Sequence, residues 1–116
     1  MQRSPVREKA LLFGVEIIKL ANDLERRKFY VLAKQVLRSG TSIGANLAES
    51  FDAQSRNDFL SKINIALKEA RETEYWFHLL ELSGIYTANE LSCAQTLNEI
   101  LAMLVATKKT IKINSK

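Results

Sequence analysis

Residues 55–84 read SRNDFLSKINIALKEARETEYWFHLLELSG, and this stretch, with no Gly or Pro before its last residue, decides the fold. Ser55-Arg-Asn-Asp58 resembles a helix-opening capping box, with Asp in place of the usual Glu. Phe59, Ile63, Ala66, Ala70 and Phe77 follow at spacings of four, three, four and seven, so they line one face of a helix. Ser83-Gly84 supplies the stop, because glycine accepts the left-handed conformation that closes a helix.

Working outward, the same signals recur. Ser4-Pro5 opens a helix over about 5–25, with Val6, Ala10, Phe13, Ile17, Leu20 and Leu24 on its buried face and Arg26-Arg27-Lys28 behind it. A second helix is predicted over 29–52 from Ala33, Val36, Gly40, Ile43 and Leu47. Its middle is poor in helix formers, but the apolar stripe continues through it, so it is read as helical, with a kink or break at Gly40 left open. The third helix covers 56–82. Thr87-Ala-Asn-Glu90 is a full capping box and predicts a fourth helix over 88–112, carrying Leu91, Ala94, Leu97, Leu101, Leu104 and Ile111. Helices of about 20–25 residues run roughly 30–37 Å at about 1.5 Å per residue. Four of matched length with short joints make an all-α, antiparallel up-down-up-down bundle in a single domain over 1–116.

Composition narrows the function classes. The chain has 116 residues, a net charge of +4, four Gly and one Pro, which suits one helical domain and leaves little turn material for an all-β fold. One Cys and one His supply neither a disulfide framework nor a multi-histidine metal site, so no cofactor or metal is expected. Cys93 reads as a small buried side chain. Glu69, Glu72, Glu74 and Glu81 lack the Glu-x-x-His partners of a di-iron bundle. No long uncharged apolar run exists to span a membrane, and a cytoplasmic location is expected.

Tyr75-Trp76-Phe77 fans about 200° around a helix at about 100° per residue, wider than one core stripe. With His78 and Leu79, Tyr75 and Trp76 therefore mark an expected subunit interface. Charge is uneven along the chain, net +5 over 1–38, −3 over 39–88 and +2 beyond, which suits a head-to-tail contact between copies as well as ordinary solvated faces.

The runs Arg38-Ser-Gly-Thr-Ser-Ile-Gly-Ala-Asn-Leu-Ala-Glu-Ser50 and Asp58-Phe-Leu-Ser-Lys-Ile-Asn-Ile-Ala-Leu-Lys-Glu69 resemble the bacterial four-helix proteins named after 23S rRNA intervening sequences. Arg38, Ser42, Ile43, Asn46, Ala48 and Glu49 fit the first part of that family's pattern, and Phe59, Ala66, Glu69 and Glu72 the second. Ser50 stands where Gly is usual and Gly44 where Pro is common. The resemblance implies a homopentameric ring of four-helix bundles. A more distant likeness, to the accessory protein of diversity-generating retroelements, implies a pentamer that binds nucleic acid and a protein partner.

Ser39, Ser42, Asn46 and Glu49 form a polar stripe beside the apolar one, suited to fixing helix register or docking through hydrogen bonds, or to a ligand or nucleic-acid site. Arg71 and His78, seven apart, resemble the signature of HEPN-type ribonucleases, in which histidine would move the 2′-hydroxyl proton and arginine hold the phosphate. Basic residues gather at Arg26, Arg27, Lys28, Lys34 and Arg38, and again at Lys108, Lys109, Lys112 and Lys116, at opposite ends of the bundle. A pentamer would repeat each patch and carry about +20, enough for salt-sensitive RNA or DNA binding. The leading expectation is a non-enzymatic homo-oligomeric scaffold or adaptor. The alternatives are a metal-independent ribonuclease and a protein-interaction module without nucleic acid.

Overall fold

The computed structural model describes residues 4–114, and the side chains of residues 4–112. Lys116, the last of the basic positions, lies outside the described residues. Four helices follow one another: α1 (Pro5–Arg26), α2 (Tyr30–Ser50), α3 (Arg56–Leu82) and α4 (Ala94–Asn114). They pack lengthwise into a body of 48 × 22 × 22 Å, and no strand occurs among the described residues. α2 sits between α1 and α3, and α4 closes the far side against α3 and α1; the diagonal helices keep their backbones apart, with Phe13 of α1 and Phe77 of α3 meeting in the core at 6.3 Å between ring centres. Neighbours run antiparallel: Ala10 lies under Gly44 and Ile17 under Gly40, while Arg38 reaches Glu69 and Glu49 reaches Lys62.

Local chemistry sets the boundaries. Ser4 caps α1 through the amide of Arg7, and Pro5 fills the first helical position, where its missing N–H costs nothing. α1 ends in a closed turn: the Phe29 amide donates to the Leu24 carbonyl and the Lys28 amide to Glu25, each at 2.9 Å. That turn places Lys28 at φ 70°, where glycine is the usual occupant. α3 closes the same way, with Gly84 at φ 79° and bonds of 3.1 Å from Ile85 to Leu80 and from Gly84 to Glu81. Ser55 caps α3 through the Asp58 amide at 3.0 Å, and the Asp58 carboxylate reaches back to accept from the Gln54 amide at 3.2 Å.

The structure decides one open point and corrects one expectation. α2 runs unbroken through Gly40, because the position is filled by a neighbour rather than left soft: a Cβ there would lie 2.7 Å from Ile17 Cγ1. The capping box at Thr87–Glu90 forms, with reciprocal bonds of 2.8 and 3.2 Å, yet it caps only a single turn. α4 begins at Ala94 instead of 88. The reason is tertiary: Leu91 and Cys93, two residues apart, are both buried in the core, whereas a continuous helix would point them about 200° apart.

The core is apolar, built on Phe13, Ile17, Leu24, Val36, Ile43, Leu47, Ile63, Leu80, Leu97, Ile100 and Leu104. Ser39 and Thr73 are its fully buried polar pair, sharing a 3.0 Å hydrogen bond across the α2–α3 seam.

Candidate assembly and nucleic-acid surfaces

The polar motif residues converge on the α2–α3 seam. Arg38 Nη1 donates to Glu69 at 2.8 Å, Nη2 engages Glu72, and the Trp76 indole N–H donates to the same Glu72 carboxylate at 3.0 Å. Trp76, then Arg38, holds the Glu72 carboxyl below the ordinary carboxylate range, while partial burial opposes the shift. The Glu72 hydrogen bond in turn raises the Arg38 guanidinium. Along α2, Ser42 donates to the Arg38 carbonyl and Asn46 to the Ser42 carbonyl, at 2.6 and 2.8 Å, and Glu49 pairs with Lys62 at 3.1 Å. The stripe is a set of bonds along α2 and across to α3. It occupies Arg38 with two carboxylates from α3, which sets this arginine apart from the exposed lysines. It also turns Trp76 inward; of the expected interface set, Tyr75, His78 and Leu79 face solvent.

Arg71 and His78 both lie exposed on the side of α3 that borders α4. Glu74 stands on the same face between them, 3.6 Å from Arg71. Among the described residues no cluster of His, Cys, Asp or Glu could hold a metal ion. Burial pushes the Cys93 thiol up to about 11, which keeps it protonated and inert at neutral pH.

The basic positions divide by partner. Arg26 pairs with Asp23 at 2.7 Å. Arg27 donates to the Ile85 carbonyl at 3.1 Å and lies over the Tyr86 and Phe29 rings, 5.0 and 5.6 Å from their centres. Tyr86 donates to Asp23, so this cluster straps the 85–93 segment to the end of α1. Lys28 and Lys34 are exposed and meet no carboxylate among the described residues. Lys108, Lys109 and Lys112, near the other end of the bundle, likewise have none.

A further surface escaped the reading of the sequence. Leu11, Leu12, Val15 and Ile18 on α1 are 70%, 67%, 46% and 48% exposed. Leu11, Val15 and Ile18 wall a groove of about 650 Å³ whose floor is made of Gly14, Gly44, Ala45 and Ala48. α1 is therefore apolar almost all round over residues 10–18, the pattern of a helix buried on both sides. That signal stood in the Leu11-Leu12…Val15…Ile18 spacing, overshadowed by the stronger inward stripe. No helix of the described residues is long and apolar enough to cross a membrane.

No curated protein matches the chain. Among solved structures it is similar to a protein of unknown function from the S23 ribosomal protein family of Bacteroides thetaiotaomicron. The two share 47% identity and a TM-score of 0.86, over 90% of this chain and 98% of that one. The profile of the 23S rRNA-intervening sequence proteins matches residues 2–106. With the four antiparallel helices and the Arg38–Glu69–Glu72 cluster in place, the chain belongs to the 23S rRNA-intervening sequence protein family.

Proposed function

We propose that this protein is a non-enzymatic, cytoplasmic scaffold that assembles as a homopentamer. The observation that carries the reading is the exposed apolar face of α1, where Leu11, Leu12, Val15 and Ile18 lie within two turns of one another in water. Covering a Leu, Val or Ile side chain stabilises by roughly 1.5–3 kcal/mol, and apolar patches of this kind mark association sites. Glu74 beside Arg71 puts a carboxylate where a ribonuclease would need a phosphate, which supports the non-enzymatic reading. The test is absolute mass in solution. A pentamer of 13.1 kDa chains weighs about 65 kDa; a chain that stays at 13.1 kDa overturns the reading.

Assembly would multiply the cations at Lys28 and Lys34, and at Lys108, Lys109 and Lys112, which meet no carboxylate among the described residues, around a ring. We infer that these support weak, sequence-nonspecific RNA or DNA contact, with affinity falling steeply as salt rises. Arg38 is left out of that surface because two glutamates hold it. Charge reversal at Lys28 and Lys34 should flatten the salt dependence while leaving the mass unchanged. No binding at low salt would leave a pure protein-interaction module.

A further inference from the structure

We propose that the cleft at the α1–α2 corner takes an unpaired nucleotide of single-stranded RNA or DNA, with its base stacked on Tyr30 and the flanking phosphates on Lys28 and Lys34. The inference rests on the nucleic-acid reading above and adds which form of nucleic acid is bound and which side chain selects it.

Phe29 and Tyr30 stand side by side where α1 turns into α2, and the fold uses only one of them. Phe29 packs against the core, with the Arg27 guanidinium over its ring at 5.6 Å from the centre. Tyr30 is 60% exposed, and among the described residues no other ring or guanidinium covers it and its hydroxyl has no hydrogen-bond partner. An aromatic face left in water beside cations suits a splayed-out base, because every base has a π-face. A duplex offers no such partner, since its bases stay stacked on one another.

Tyr30 borders a cleft of about 570 Å³ together with Asn22, Glu25, Arg26 and Lys28. The charges around it play different parts. Arg26 is held by Asp23 at 2.7 Å, and Arg27 by the Ile85 carbonyl at 3.1 Å. Lys28 and Lys34 are exposed and meet no carboxylate among the described residues. Lys28 precedes the ring by two residues, and Lys34 follows it by one turn on the same face of α2, so free ammonium groups flank the stacking face along the chain. Glu25, on the α1 wall, repels phosphate and accepts only from a base N–H, while the Asn22 amide both donates and accepts. That wall therefore suits a base edge and the lysine side suits the backbone, which orients the strand. The cleft also lies beyond the apolar face assigned to assembly: Ile18 and Glu25 are roughly 10 Å apart along α1 at about 1.5 Å per residue.

The test is fluorescence anisotropy of the full-length protein with a short labelled strand of mixed sequence, as RNA and as DNA, and with the same strand in duplex, all at low salt. The parent should bind the single strand more tightly than the duplex. Tyr30→Ala should weaken the single strand by roughly 5- to 100-fold and leave duplex binding and solution mass unchanged, whereas Tyr30→Phe should keep the parent affinity. Lys28→Glu should weaken both forms. Should Tyr30→Ala lose its cooperative thermal melt, photo-crosslinking of a 5-bromouridine strand to the parent protein takes its place, with Tyr30 as the expected adduct. Duplex bound as tightly as single strand, a Tyr30→Ala variant that binds single strand like the parent, or an adduct only elsewhere overturns the stacking site while the basic-surface reading stands. A change of mass in Tyr30→Ala assigns the ring to a contact between copies and overturns the site as well. A parent that binds neither form overturns both readings.

Discussion

The side chain of Ile17 occupies the space that a Cβ at Gly40 would need, with Cγ1, Cδ1 and Cγ2 all within 2.8 Å of that point. Ile17 is fully buried and branched, so it has little room to yield. Gly40→Ala gains about 1 kcal/mol in helix propensity but meets an overpacking cost of about 1–3 kcal/mol. We expect a net loss of stability in denaturant unfolding, partly recovered by adding Ile17→Val. Gly14→Ala, with open space around its Cβ, should raise stability instead.

The Arg38–Glu69–Glu72–Trp76 cluster predicts an acid limb in the stability profile. Glu72 has a folded value below its ordinary 4.5, so its contribution is fully present above that value and is lost as pH falls through the lower folded one. Trp76→Phe and Arg38→Gln should each remove part of this pH dependence, because the indole hydrogen bond is the largest single cause of the shift and Arg38 adds both a hydrogen bond and its charge. Thermal melts from neutral to acid pH would show it; a Trp76→Phe profile that parallels the parent would refute the assignment.

Tyr86 predicts an alkaline limb. Burial first, and the hydrogen bond to Asp23 second, push its phenol up to about 12. Its contribution is complete below the ordinary value of 10.0 and is lost as pH climbs through the folded value. Tyrosinate absorbance should show one phenol titrating late, and Tyr86→Phe should abolish that step. The same substitution should return the Asp23 carboxyl toward its ordinary value, since the Tyr86 hydroxyl is what chiefly holds it low.

Lys28 occupies the left-handed position that closes α1, where an L side chain costs roughly 1–2 kcal/mol relative to glycine. Lys28→Gly should therefore raise the melting temperature. On the nucleic-acid reading it should also weaken binding, so that stability and affinity move in opposite directions. Lys28→Ala keeps the strain and should weaken binding without the gain.

Much of the fold was legible because helix caps and stripes are local signals. Ser55 and Ser83-Gly84 bracket α3, and the buried stripe of α1 stands plainly at Ala10, Phe13, Ile17 and Leu24. The late start of α4 was not legible, since Thr87 and Glu90 do form the box they encode, and only the burial of Leu91 and Cys93 diverts the chain. Arg38 read as an available cation because its partners lie 31 and 34 residues away. The outward stripe of α1 was present in the sequence, but periodicity alone does not tell which of two apolar faces meets the bundle and which is left for another chain.

The late start of α4 also ranks the seams of the bundle. α2 packs extensively on both α1 and α3, whereas α4 meets α1 over a short stretch, with Lys9 and Glu99 paired at 2.9 Å. Amide protons of α4 should accordingly exchange ahead of those of α2, with the fourth helix undocking as a unit while the other three hold. The apolar face of α1 assigned to assembly lies on those three helices. The joints between copies would then outlast the departure of α4, and a ring could expose its fourth helices, and their lysines, without coming apart.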